Sequence, residues 1–190
     1  MTNALRPLIL ASGSPQRKKL LKALRVPFRI VPAGVSERSS EKNPRRLVLE
    51  LALRKASHVA RKSRHALVLG ADTLVVCRGS ILGKPKNYSD ALRILSALNG
   101  RWHRVYTGLA LVDAESKRNW REATVSKVKA RKLAPQALDR LAGKHMDKAG
   151  AYAMQDHDDP FIETVVGPVD NVIGLPLSSV RRLIRKAAKP

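Results

Sequence analysis

Two hydroxyls, a glycine and three cations stand together in Ser12-Gly13-Ser14-Pro15-Gln16-Arg17-Lys18-Lys19. The apolar run Leu8–Ala11 precedes them and is long enough for a buried strand. Ser14 suits a helix N-cap and Pro15 the first helical position. Cations in the first helical turn oppose the helix dipole, which is positive at that end. Free backbone N–H groups, hydroxyls and cations on one loop make an anion site, most naturally for phosphate. A solvated basic helix start is the alternative in so basic a chain. A second chemical group follows the apolar run Ala66–Ala71, where Asp72-Thr73 is succeeded by apolar Leu74–Cys77. The strand therefore continues through the carboxylate, which argues against a turn aspartate. Ligands of open α/β sheets gather outside such strand ends.

Lys55 is the third group. It stands seven residues after Val48, on the stripe formed by Val48, Leu51, Ala52 and Val59. The spacing predicts a helix from Pro44 to about Ser63. A lysine on such a stripe either snorkels to the edge or points into an anion pocket. Glu37, in the polar loop 35–43, is one of few acids in a basic neighbourhood. It reads as a surface ion-pair partner or as a metal ligand.

The remaining elements frame these groups. Strands are expected at Phe28–Val31, Val105–Val112, Thr124–Val128 and Phe161–Val166, with a hairpin turn at Arg78-Gly79 before Ile81. Ser89 is expected to cap a helix containing Ala91, Leu92, Leu95 and Leu98, which ends at Asn99-Gly100. Residues 113–119 read as a hairpin tip. Pro135 opens a short helix closed by Gly143, and the last helix carries Val180, Leu183 and Ile184 inward. Its solvated face is Arg181, Arg182, Arg185 and Lys186. Lys148–Gln155 is rich in small residues, which suit close backbone approach.

The 190 residues suffice for one good-sized domain, and 44% hydrophobic residues suffice for a core. The net charge of +22 favours an anionic partner: nucleotide, nucleic acid or anionic lipid. Aromatics at 4% are too few for single-strand stacking platforms, and no zinc-finger spacing is present. The single Cys77 excludes an internal disulfide and a multi-cysteine zinc site. No apolar run is long enough to cross a bilayer, and Leu8–Ala11 is too short for a signal-peptide core. A cytoplasmic protein without membrane attachment is the expectation.

In order and spacing, LILASGSPQRKKLL, the Glu37 loop, LALRKA, GADT, LGKP, HRVYTG, DKAGAYAMQ and NVIGLPL resemble the Maf family of nucleoside triphosphate pyrophosphatases. The resemblance covers nearly the whole chain, 1–190, as a single domain. It implies an α/β fold, an elongated mixed β-sheet flanked by helices with a cleft between two lobes, similar to the inosine triphosphatase architecture. It implies hydrolysis between the α- and β-phosphates to a nucleoside monophosphate and pyrophosphate. The implied cofactor is a divalent cation, Mg²⁺ with Mn²⁺ or Co²⁺ as alternatives, and the implied assembly is a homodimer. By this resemblance Ser12, Ser14, Arg17, Lys55 and Lys84 hold phosphates, and Asp72 is the general base. Glu37 and Asp72 hold the metal. Thr73, Gln155 and Gln16 bear on base selection.

Two positions depart from the family pattern. Gln16 stands where the commonest loop has the first of two arginines, and Ser36 where an Asp commonly precedes the Glu. Thr73 with Gln155 favours the branch resembling dTTP and UTP pyrophosphatases, a house-cleaning activity. The alternatives are the same chemistry on 5-modified pyrimidine triphosphates, CTP or 7-methyl-GTP, or a basic nucleic-acid-binding or septum-associated protein.

Overall fold

The computed structural model describes residues 6–154 and 160–189. In chain order the elements are β1 (Leu8–Leu10), α1 (Pro15–Lys22), β2 (Phe28–Ile30), α2 (Pro44–Ala60) and β3 (Leu67–Cys77). There follow β4 (Ser80–Leu82), α3 (Tyr88–Leu98), β5 (Trp102–Asp113), β6 (Asn119–Ala130) and α4 (Pro135–Leu141). The chain ends with β7 (Ile162–Val166), α5 (Val169–Ile173) and α6 (Leu177–Ala187). The strands form one mixed sheet in the order β2-β1-β3-β5-β6-β7, with β4 paired to β3. β1 lies parallel to β2 and to β3, whereas β3–β4 and β6–β7 are antiparallel. The expected mixed sheet with helices is therefore present.

Two compact units divide the chain, and β3, β5 and β6 each run through both. The first unit holds residues 6–72, 107–124 and 174–189 of the described chain. Its strands alternate between two cores, as the period of two requires. Leu8, Leu10, Leu67, Leu69, Ala71, Leu109 and Leu111 face Leu21 of α1 and Val180 and Leu183 of α6. Ile9, Ala11, Val68, Ala110 and Val112 face Ala52, Ala56 and Val59 of α2. Gly70 and Asp72 are in phase with Val68, so they lie on the α2 side.

Two glycines let α2 press onto that face. A Cβ on Gly70 would stand 2.2 Å from the Ala52 carbonyl oxygen, and one on Gly108 would stand 2.3 Å from that of Val48. Both obstacles are helix backbone and cannot rotate away. Gly70→Ala is expected to push α2 off the sheet and to cost about 2 kcal/mol or more, since overpacking a core costs on that order. Chemical denaturation reads this directly, and an unchanged midpoint would refute the close packing.

The second unit holds Thr73–Tyr106 and the described part of Val125–Ile173. Its core joins Val75 and Cys77 of β3 to Ile94, Leu95 and Leu98 of α3, with Leu138, Leu141, Tyr152 and Phe161. Asn87, not Ser89, caps α3: its side chain accepts from the Asp90 N–H, and Ser89 falls inside the first turn. β5 and β6 are longer than the apolar runs suggest, because their exposed residues alternate with buried ones. The short α5 has no periodicity to announce it in five residues.

His103 of β5 is buried and lies 2.9 Å from the Tyr152 hydroxyl. Burial pushes its pKa down to about 4. The unfolded chain therefore takes up this proton first, and stability is lost as pH falls from about 6.5 toward 4. The loss attributable to this one group is roughly 3 kcal/mol. Melting curves of wild type and His103→Gln across that range test it: the wild type is expected to show the steeper acid loss.

Candidate active site

β1 ends where the anion loop begins. Leu10 is the last strand residue, Ser12 is buried, and Ser14 caps α1 by accepting from the Arg17 N–H at 3.4 Å. Pro15 opens the helix, as its fixed φ favours. The Ser14 N–H donates to Ser12 Oγ at 3.3 Å, and Ser14 Oγ donates to Gln16 Oε1 at 3.1 Å. The loop is thus tied internally at each of its polar positions.

Arg17 does not remain in solvent at the unfavourable end of the dipole. Its Nε donates to the Gly174 carbonyl at 2.9 Å, and its Nη1 donates to Ser12 Oγ at 3.2 Å and to the Ala71 carbonyl at 3.1 Å. One guanidinium therefore fastens the loop, β3 and the segment before α6. Desolvation holds its pKa below the ordinary arginine value, against the attraction of Asp72 and Glu37.

Asp72 follows Ala71 in β3 and is itself buried. Its Oδ1 accepts from Lys55 Nζ at 2.6 Å, and the same Nζ lies 2.6 Å from Glu37 Oε1. Lys55 reaches this point because α2 is pressed against Gly70, two residues before the aspartate. Its stripe position, odd for a cation, is explained by the two carboxylates. Burial raises the Asp72 pKa, opposed by Lys55 and Arg17 and assisted by Glu37.

The Glu37 loop is held by a residue that sequence reasoning passed over. Arg54 Nη1 donates to the carbonyls of Ser36 and Arg38, both at 2.8 Å, and Nη2 pairs with Glu50 at 2.5 Å. The Glu50–Arg54 spacing of four residues is a legible helix pair, but its reach to a loop is not. Gly174, the partner of Arg17, acts through its carbonyl and carries no side-chain signal at all.

The first unit thus brings together Ser12, Ser14, Gln16, Arg17, Glu37, Lys55 and Asp72. Thr73 is half-buried at the next strand position, and Lys84 is exposed after β4; both belong to the second unit. Gln155 lies outside the described residues. Among the described residues no three His, Cys, Asp or Glu side chains cluster as a metal cage. The pair of carboxylates converging on one ammonium is nevertheless a hard-oxygen donor set around a cation position. That fits Mg²⁺, which is held by one or two carboxylates together with water and substrate phosphates.

A family model described as "Maf-like protein" matches residues 7–187. The chain belongs to the Maf-like family. Its Maf-like relatives include a dTTP/UTP pyrophosphatase of Elusimicrobium minutum (strain Pei191), 49% identical over 94% of this chain and 97% of that protein. A dTTP/UTP pyrophosphatase of Alkaliphilus metalliredigens (strain QYMF) is 42% identical over 94% and 95%. A crystal structure of a nucleoside-triphosphatase / dITP/XTP pyrophosphatase from Mycobacterium abscessus aligns with a TM-score of 0.46 at 13% identity, covering 96% and 97%. No helix among the described residues of this Maf-like chain is long and apolar enough to cross a membrane.

Proposed function

We propose that the protein hydrolyses nucleoside triphosphates between the α- and β-phosphates, releasing a nucleoside monophosphate and pyrophosphate, with dTTP and UTP preferred. The observation that carries this is a buried carboxylate, Asp72, paired with Lys55, with Arg17 beside it tied to the anion loop. The relatives' stated activity supplies the reaction class.

In the mechanism, Asp72 accepts the proton of the attacking water. Its raised pKa suits it, because a base works best when its pKa approaches the working pH. Lys55 stabilises negative charge developing on the phosphoryl oxygens, a role in which preorganised cations are most effective. Ser12 and the N–H groups of the loop bind the phosphate chain, and Ser14 fixes the loop through its cap. Lys84 is assigned to the phosphates on the family resemblance alone. Arg17 orients the loop against β3, and its charge adds to the field. Glu37 and Asp72 would hold the divalent cation. When bound, that ion neutralises phosphate charge and polarises the scissile anhydride.

Gln16, Thr73 and Gln155 select the base in this reading. Gln16 has its carboxamide oxygen engaged by Ser14 and brings no charge, so base choice differs from a loop with arginine there. A panel of triphosphates ranked by kcat/KM, on wild type and Gln16→Arg, tests the assignment. dTTP and UTP are expected to lead on the wild type, with Gln16→Arg changing the ranking while every substrate is still cut at the same anhydride. A purine preference in both proteins would overturn the pyrimidine reading. The protein acts as a homodimer in this reading, which sedimentation velocity checks.

A further inference from the structure

The first unit has a concave site that none of Ser12, Arg17, Glu37, Lys55 or Asp72 lines. It is a cavity of about 410 Å³ between β2 and the end of α2. Its floor is apolar, with Ile9 and Val59 buried. Its rim is basic: Arg29 comes from β2, His58 from α2, and Lys62 and Arg64 from the turn beyond. No carboxylate among the described residues lines it.

Charge pairing separates this rim from the rest of α2. Arg54 is matched by Glu50, and Lys55 by Glu37 and Asp72. Arg29, His58, Lys62 and Arg64 enter no ion pair among the described residues. At the end of α2 the Ser57, Val59 and Ala60 carbonyls accept from the N–H groups of Arg61, Lys62 and Ser63, and Ser63 Oγ also donates to Val59. Arg29, Lys62 and Arg64, outside any ion pair among the described residues and set around an apolar concavity, focus a positive potential. The volume falls in the range of small-ligand pockets, roughly 300–1,000 Å³.

We infer that this pocket binds a phosphate-chain anion, with the cations on the chain and the apolar floor under any attached nucleoside. Its wall adjoins the anion loop: Pro32 Cγ stands 3.8 Å from where a Cβ on Gly13 would be. Two sources share this chemistry, inorganic pyrophosphate and a free nucleoside triphosphate.

Titration calorimetry without added metal tests it, using pyrophosphate in one arm and a non-hydrolysable α,β-imido analogue of dTTP in the other. Wild type is expected to bind two equivalents in at least one arm. Lys62→Glu/Arg64→Glu is expected to lose one of them, with its affinity at least about tenfold weaker. Both substitutions are exposed and lie outside the Asp72 group, so kcat/KM is expected to hold within about twofold. Two equivalents of pyrophosphate identify the bare chain as the ligand. A second equivalent in the analogue arm alone identifies the nucleotide. A control of equal charge change, Arg185→Glu/Lys186→Glu on the exposed side of α6, is expected to leave the stoichiometry intact. One equivalent throughout that Lys62→Glu/Arg64→Glu retains, or an equal loss in the control, overturns the inference. So does a variant that loses only affinity for a single-stranded oligonucleotide while retaining both small probes.

Discussion

Asp72→Asn is expected to lower kcat for pyrophosphate release by about a thousandfold, within the range that a positioned general base contributes. The variant keeps the shape of the side chain and removes its charge, its capacity to accept a proton and one carboxylate donor to the divalent cation. KM is expected to change far less, since the loop and Lys55 remain. Stability separates loss of chemistry from loss of fold. Burial raises the Asp72 pKa above its ordinary value of 3.8. The folded state therefore holds this proton more tightly than the unfolded chain. The stabilisation that protonation confers is complete below the ordinary value and disappears as pH rises through the raised one. Asparagine has no such loss. The melting temperature of Asp72→Asn relative to wild type is thus expected to increase from pH 4 to pH 8. Activity within about tenfold of wild type would remove Asp72 from the role of base.

Lys55→Met is expected to damage both activity and stability. It preserves the apolar stem on the α2 stripe and deletes the ammonium that Asp72 and Glu37 share. Asp72 would be left buried opposite no lysine, and breaking such a pair costs about 3 kcal/mol. The sign with pH follows. Without Lys55 the Asp72 carboxyl is pushed higher still, so it protonates sooner as acid is added. The stability gap between wild type and variant therefore narrows toward low pH and widens toward pH 8. Loss of a preorganised cation at the phosphates is expected to lower kcat/KM by about a hundredfold or more. The double variant Lys55→Met/Asp72→Asn completes the cycle: stability returns toward wild type while activity does not. Additive stability losses would mean that the two side chains do not depend on one another.

The elements around the site were largely legible because each carries a local signal. Ser14-Pro15 marks a helix start, ALVLGADTLVVC marks a strand continuing through its acid, and Val48 to Val59 marks a helix with an apolar face. Each is present in the folded chain. Signals weakened where exposed residues interrupt a strand, as at the ends of β5 and β6, or where Asn87 and Ser89 compete to cap one helix. Arg17 shows the limit of local reasoning. Its position opposes the helix dipole, yet it is accepted because carbonyls from Ala71 and Gly174, remote in sequence, receive its protons.

Residue types and order alone determined the chemical inventory: a hydroxyl-rich basic loop, an acid within an apolar strand, a lysine on an apolar helix face and a strong excess of positive charge. These follow from side-chain chemistry and from periods of two and 3.6 residues, which are properties of adjacent positions. Only the tertiary structure decided which groups meet. Gly70 and Gly108 admit α2 to the sheet closely enough for Lys55 to reach Asp72, and Arg54 brings the Glu37 loop to the same ammonium. The basic cavity beside β2 is likewise invisible in one dimension, since Arg29 and Lys62 belong to different elements. Charge pairing depends on distances of a few ångströms between remote segments, and packing sets those distances.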